Sequence, residues 1–141
     1  MHKWLYRGSL AVIGIALAMA ISFWVTLFYP FDILKINTYP LPVSSTTVKS
    51  GQKITYTVDY CKYKPMKAIV FRQLQDTVTI PLESYSSDFQ LGCHKVTSLP
   101  VTIPDYVPVG DYKIRVNITY KPFPWREVEY RLETETFKVV K

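Results

Sequence analysis

Two cysteines, Cys61 and Cys93, carry the best-defined chemistry in this chain of 141 residues. An even pair in an oxidising compartment forms one disulfide, here closing a loop of about 33 residues. A bridge of that span stabilises a fold by roughly 3–4 kcal/mol in the chain-entropy account. The rival chemistry, a redox or metal site, lacks its parts. There is no Cys-x-x-Cys, and His94 is the one histidine beyond the N-terminal tail. Joining Cys61 to Cys93 brings Lys62, Lys64 and Lys67 close to His94 and Lys95, with Tyr60 and Tyr63 beside them. This basic, aromatic-flanked patch has two readings. It is a docking surface for an acidic partner, a headgroup phosphate or an anionic glycan, or a solvated domain end whose lysines serve solubility. Phe123 and Trp125, in Lys121-Pro-Phe-Pro-Trp125-Arg126, form a second candidate. They anchor a partner from an exposed loop, or Trp125 folds back to cap the core.

No catalytic constellation assembles from these residues. A Ser–His–Asp arrangement would rest on a single imidazole with arbitrary partners. Metal-ligand spacings are missing, and the five glycines are scattered, so no loop cradles a phosphate. A paired-carboxylate glycosidase stays open, because distant acids can converge, but it is unusual in a domain this small. The expectation is a protein without enzymatic activity, cofactor or metal.

These residues must be positioned by something, and the first element is unmistakable. Ser9 to Tyr29 contains no charged side chain. A helix of that length spans roughly 30 Å, the thickness of a bilayer's hydrocarbon core. His2, Lys3 and Arg7 precede the run; after it come Asp32, then Lys35, then no lysine until Lys49. That bias places the N-terminus in the cytoplasm and exports the rest. Trp4 and Tyr6 stand at one boundary and Trp24 and Tyr29 at the other, where amphipathic rings suit the headgroup layer. Ala18-Met19-Ala20 offers a signal-peptidase pattern. Apolar residues continue past it through Phe28, which favours an uncleaved anchor. Gly14, Ala18 and Ser22 share one helix face and either admit a second helix or face lipid.

The division expected is a cytoplasmic tail over residues 1–8, a span over 9–29, a linker with a possible first strand over 30–46, and a domain over 47–141. Beyond the span, 15 lysines and arginines (the chain's 17 less Lys3 and Arg7) face 11 acids. This modest excess does not suit nucleic acid, though it attracts acidic headgroups or anionic envelope polymers.

After Tyr29 the apolar period is two. Ile54, Tyr56, Val58 and Tyr60 alternate with polar residues, as do Tyr112 to Tyr120 and Val128 to Leu132. Shorter strands are expected within Ala68–Leu74, Thr77–Leu82 and Val96–Ile103, and a first strand in Ile33–Tyr39 or Thr46–Lys49. About seven strands in about 100 residues predict an all-β antiparallel sandwich behind one transmembrane helix. Pro40 to Thr47 reads as a stiff-then-polar connector holding it off the membrane. For the last hairpin, a turn over Lys121–Trp125 sets Ile118 against Val128 and Ile114 against Leu132, and pairs Lys113 with Glu133. Beyond Leu132 the apolar phase flips, which predicts a bulge near Thr134 to Thr136.

Thr47-Val-Lys-Ser-Gly51-Gln-Lys-Ile-Thr-Tyr-Thr resembles the turn into the second strand of immunoglobulin-like domains on bacterial and phage surfaces. Val107-Pro-Val-Gly-Asp-Tyr112 resembles the approach to their penultimate strand. The resemblance covers Thr46 to Lys141 and implies the fold rather than a function. Cys61 departs from it: its parity matches Thr55, Thr57 and Asp59, so the bridge is expected at the periphery.

The reading is a single-pass protein of the cytoplasmic membrane whose immunoglobulin-like sandwich faces the periplasm or exterior. It serves as a non-catalytic binding module or accessory subunit. Its partners are the bilayer and another envelope or membrane protein, not nucleic acid. Alternatives are a structural subunit of a membrane or virion complex assembled through the span, or a phage-encoded protein that modifies the host envelope to exclude competing phages. One outcome follows at once. Alkylating membranes before reduction should label neither Cys61 nor Cys93, and alkylating after reduction should label both; a soluble product with two freely alkylated thiols contradicts export.

Overall fold

The computed structural model describes residues 2–87 and 89–141. It opens with one long helix, α1 (His2–Phe28), none of whose side chains is buried. An 18-residue stretch of it has a mean hydropathy of 2.4, so the helix is long and apolar enough to cross a membrane, as an anchor or as a signal segment. The hydroxyls of Ser9 and Thr26 donate to the helix's own carbonyls at Tyr6 and Phe23, which leaves neither donor bare in an apolar surrounding. The last helical bond runs from Tyr29 N–H to the Val25 carbonyl, 2.8 Å. Pro30 then ends the helix, since it has no N–H to continue it.

Ten strands follow: β1 (Leu34–Ile36), β2 (Thr47–Lys49), β3 (Lys53–Lys62), β4 (Ala68–Gln75), β5 (Thr79–Pro81), β6 (Tyr85–Ser87), β7 (Gly92–Thr102), β8 (Gly110–Phe123), β9 (Arg126–Glu133) and β10 (Phe137–Val140). They form two sheets. One has the order β1-β3-β7; the other has the order β2-β10-β8-β4-β5, with β6 on β4 and β9 on β8. Among the described residues ten strands appear where about seven are legible. Both candidate first strands form, β6 is too short for alternation to reveal, and β10 is the stretch read as continuing β9 beyond its change of phase. The sheet is also mixed rather than wholly antiparallel, because β2 runs parallel to β10.

Even-numbered residues of β3, β4 and β8 meet between the sheets, as period two requires. Tyr56, Tyr60, Val70, Leu74, Ile114, Ile118 and Tyr120 are all buried there. The long strand β8 is central: β4 pairs it without a slip from Ile69↔Thr119 to Gln75↔Lys113, and β9 and then β10 share its other edge.

Residues 30–46 do not form a spacer. Ile33 and Leu41 are both 0 % exposed. Leu41 donates to the Glu133 carbonyl and accepts from Glu135 N–H on one sheet. One and three residues on, the Pro42 carbonyl accepts from Thr57 N–H and Ser44 N–H donates to the Thr55 carbonyl on the other. The apolar side chains of a prolyl segment thus fill the gap at the sheet edges, and the expected connector becomes part of the domain.

The β8–β9 hairpin closes two residues out of the expected register. Tyr120 faces Val128, Ile118 faces Tyr130 and Val116 faces Leu132, with a bulge before Phe123↔Arg126. Alternation fixes which face a residue takes but not which of two same-parity registers forms; the tight turn decides that. The parity itself holds, and so does the phase slip. Thr134 is buried, its hydroxyl accepting from Ile114 N–H at 3.0 Å while its own N–H donates to the Ile114 carbonyl. On the outer face Lys113 and Arg115 both bond Glu133, at 2.7 and 3.0 Å. Lys113 and then Arg115 hold the Glu133 carboxyl below the usual carboxylate range, against the opposing effect of burial. A lowered folded-state pKa stabilises above the unfolded value and is lost as pH falls through the folded one. Glu133→Gln should therefore cost about 1 kcal/mol at neutral pH. The difference from the parent should shrink as pH falls below the ordinary carboxylate value of 4.5, read as thermal unfolding of the full chain in micelles.

Candidate functional site

The disulfide end of the three-stranded sheet is built by β3 and β7. Cys61 and Cys93 lie directly opposite each other and are bonded. The bridge is peripheral and lies within one sheet, near its end. A one-residue slip in β7 between Val96 and Leu99 accommodates the pairing, with Ser98 at positive φ (63°).

The bridge does not gather the basic patch as expected. Lys62 is a core residue, 2 % exposed. Its ammonium donates to the carbonyls of Met66 (2.6 Å) and Phe89 (2.8 Å) and lies 5.8 Å from the Tyr120 ring. Lys62 continues the inward parity of Ile54 to Tyr60, so a strand extended two residues further would have placed it inside. It ties two connections together rather than docking a partner. Lys64 turns the other way, over the rings of Phe31 (4.3 Å) and Tyr29 (5.6 Å), toward the helix. Tyr63 is exposed and lines a separate hollow with Asp32 and Lys35. That leaves Lys67, His94 and Lys95 exposed on the domain surface.

His94 and Lys95 border an open groove of about 400 Å³ with Tyr60, Tyr85, Phe89 and Leu99. Nε2 of His94 meets the Leu91 carbonyl at 2.7 Å. A carbonyl can only accept, so that nitrogen carries the proton. Phe89 packs edge-on against Tyr60, ring centroids 5.1 Å apart. Burial raises the Tyr60 hydroxyl above its ordinary value. Burial likewise raises Tyr56, and pushes Tyr120 up to about 12. Glu133 is lowered, so each of these groups is moved away from neutrality. Among the described residues no group of three or more His, Cys, Asp or Glu could hold a metal. The groove offers aromatic faces and cations, which suit binding.

The hairpin tip does not take the capping course. Trp125 is 52 % exposed, so it does not cap the core. It stacks on Phe123 (5.4 Å, 5°), and its Nε1–H donates to Thr26 Oγ1 at 3.2 Å. Arg126 donates to the Thr26 carbonyl at 2.9 Å and lies over Phe31. Ala18 and Ser22 line a shallow hollow with Phe23 and Trp125, while a Cβ at Gly14 would meet nothing. The chain's own indole thus abuts part of the small-residue face.

Three features escaped the sequence. Tyr85 and Phe89 reach the groove from segments with no period. Arg72 donates to the Pro100 carbonyl of β7 at 2.8 Å, an inter-sheet contact no local pattern encodes. Ile69 and Phe71 stand exposed on the outer face of β4; their odd parity, against buried Ala68 and Val70, was the available signal.

No protein-family model matches the chain, and no curated protein sequence matches it either. Among solved structures, the alkylpurine DNA glycosylase AlkC of Pseudomonas fluorescens, bound to DNA containing an abasic site analog, is similar with a TM-score of 0.43 and 15 % identity. The match covers 75 % of this chain and 30 % of that one. A likeness of that degree says nothing about function.

Lys62 and Lys67 should separate cleanly in stability. Lys62→Met leaves two carbonyls without their cationic donor and should cost about 2–3 kcal/mol. Lys67→Met should cost under about 0.5 kcal/mol. Urea unfolding of the full chain in micelles, followed by near-ultraviolet circular dichroism, checks both; equal midpoints would return Lys62 to the surface patch.

Proposed function

We propose that this chain is a membrane-anchored, non-catalytic binding module, an accessory subunit whose immunoglobulin-like sandwich is displayed on the exported side of the cytoplasmic membrane. The observation that carries this reading is the junction. An apolar helix with no buried side chain passes, within four residues, into a disulfide-bonded two-sheet domain. The disulfide favours an oxidising compartment, and the basic N-terminal flank favours an inside start. The immunoglobulin-like assignment is supported by the sheet orders and by the parallel β2–β10 edge. The crossing of residues 41–44 between the sheets supports it too. The disulfide departs from that pattern by lying within one sheet.

Binding is favoured over catalysis because the groove is lined by aromatic rings, His94 and Lys95, with no nucleophile–base pair among them. The partner is another envelope protein with an acidic surface, met by Lys67, His94 and Lys95 beside the aromatic groove. The anchor raises the effective concentration of each for the other. A photo-reactive residue at Leu91 should capture this partner in cells. Reversing Lys67 and Lys95 to glutamate should reduce capture about five-fold or more, since each rim charge contributes up to about 1 kcal/mol. Gly14→Leu should leave capture unchanged; the opposite pattern favours a structural subunit held through its span.

A further inference from the structure

We propose that the tip of the β8–β9 hairpin is a second membrane contact, seated in the interfacial layer of the bilayer that α1 crosses, with lipid phosphates as counterions for Lys64 and Arg126. The inference rests on the anchor reading and adds a lipid-binding surface on the domain. Depth is the first argument. Trp125 bonds Thr26 and lies 6.0 Å from the Phe23 ring. Those two residues precede Tyr29, the end of the uncharged run, by three and six positions. Along a helix axis that is about 4.5 and 9 Å. The hairpin tip therefore dips below the level of Tyr29, to the depth where amphipathic faces meet the headgroup–acyl boundary.

Composition is the second argument. Trp125, Phe123, Phe31 and Tyr29 form a chain of ring contacts, at 5.4, 5.7 and 5.0 Å. Tryptophan and tyrosine are the residues that favour this layer. Charge is the third. Lys64 and Arg126 bracket the Phe31 ring at 4.3 and 4.9 Å. Among the described residues neither joins the ion pairs, which use Lys113, Arg115, Lys121 and Arg131. Two cations without a carboxylate, at headgroup height, complement phosphate. Thr26 fixes the tip to the helix itself, so the surface is continuous with the span.

The test uses the full chain with Trp4→Phe and Trp24→Phe, leaving Trp125 as the one fluorophore of three tryptophans. It is reconstituted in phospholipid vesicles carrying bromines either high or low on the acyl chain. High bromines should quench Trp125 at least about two-fold more than low ones, and acrylamide should quench it at least about two-fold less than in the urea-unfolded chain. Lys64→Gln with Arg126→Gln should abolish any gain in quenching on changing from zwitterionic to anionic lipid. Free access to acrylamide with no bromolipid quenching overturns the proposal, as does shielding from both, which marks a protein contact. Persistence of the anionic-lipid gain in the double variant overturns the assignment of the two cations. Alkaline extraction of the same vesicles is the control: release of the protein removes the anchor and this proposal with it, whereas retention without quenching overturns the hairpin contact alone.

Discussion

Four residues separate the end of the helix from a side chain with no solvent exposure. That short junction constrains everything else. Ile33 cannot leave the core without carrying the helix with it, and its N–H, like that of Leu34, is held by the hydroxyl of Tyr130 on β9. Tyr130 in turn donates to the Phe31 carbonyl. A domain joined this closely cannot swing as if on a flexible linker, whose reach grows with the square root of its length. The rings at the junction, and the hairpin tip against Thr26, add side-chain contacts to that covalent limit.

The same segment closes the fold. Leu41 exchanges hydrogen bonds with the edge of the seven-stranded sheet, while the Pro42 carbonyl accepts from Thr57 N–H and Ser44 N–H donates to the Thr55 carbonyl on the three-stranded one. Neither sheet has an inner face that can be left wet, since tyrosines and branched aliphatic residues line both. The crossing strand covers one side of the gap, and Lys62 secures another part. A buried ammonium is costly unless hydrogen-bonded. Here it satisfies the carbonyls of Met66 and Phe89, which would otherwise want donors. It therefore fixes the loop after β3 and the stretch before β7, and so shapes one wall of the aromatic groove.

The long outer strand β7 would be a template for unwanted pairing if its edge were open. The Thr55 backbone bonds Ser44, away from β7, so the backbone of its partner Pro100 points outward. Proline offers no donor there, and Arg72 occupies the carbonyl. The irregularity around Ser98 interrupts the edge a second time. What remains unobstructed is the stretch near His94 and Lys95, beside the groove. A surface protected over half its length and aromatic over the rest favours side-chain recognition over strand addition.

Local patterns determined a good deal: the long apolar helix, the inward parity of β3, β8 and β9, the ionic outer face around Glu133, the change of phase near Thr134 and the pairing of Cys61 with Cys93. Each depends on neighbours a few residues apart or on there being one available partner. The tertiary structure alone decided the rest. A period of two is blind to a shift of two, so the hairpin's closing turn set the register. Lys62 reads as solvated by its charge, yet the parity of β3 turns it inward, where the carbonyls of Met66 and Phe89 accept from its ammonium. Residues 30–46 look like a spacer until the gap between the sheets gives Ile33 and Leu41 somewhere to bury. Trp125 had no sequence neighbour to fix its place; the short junction brought the helix end within its reach.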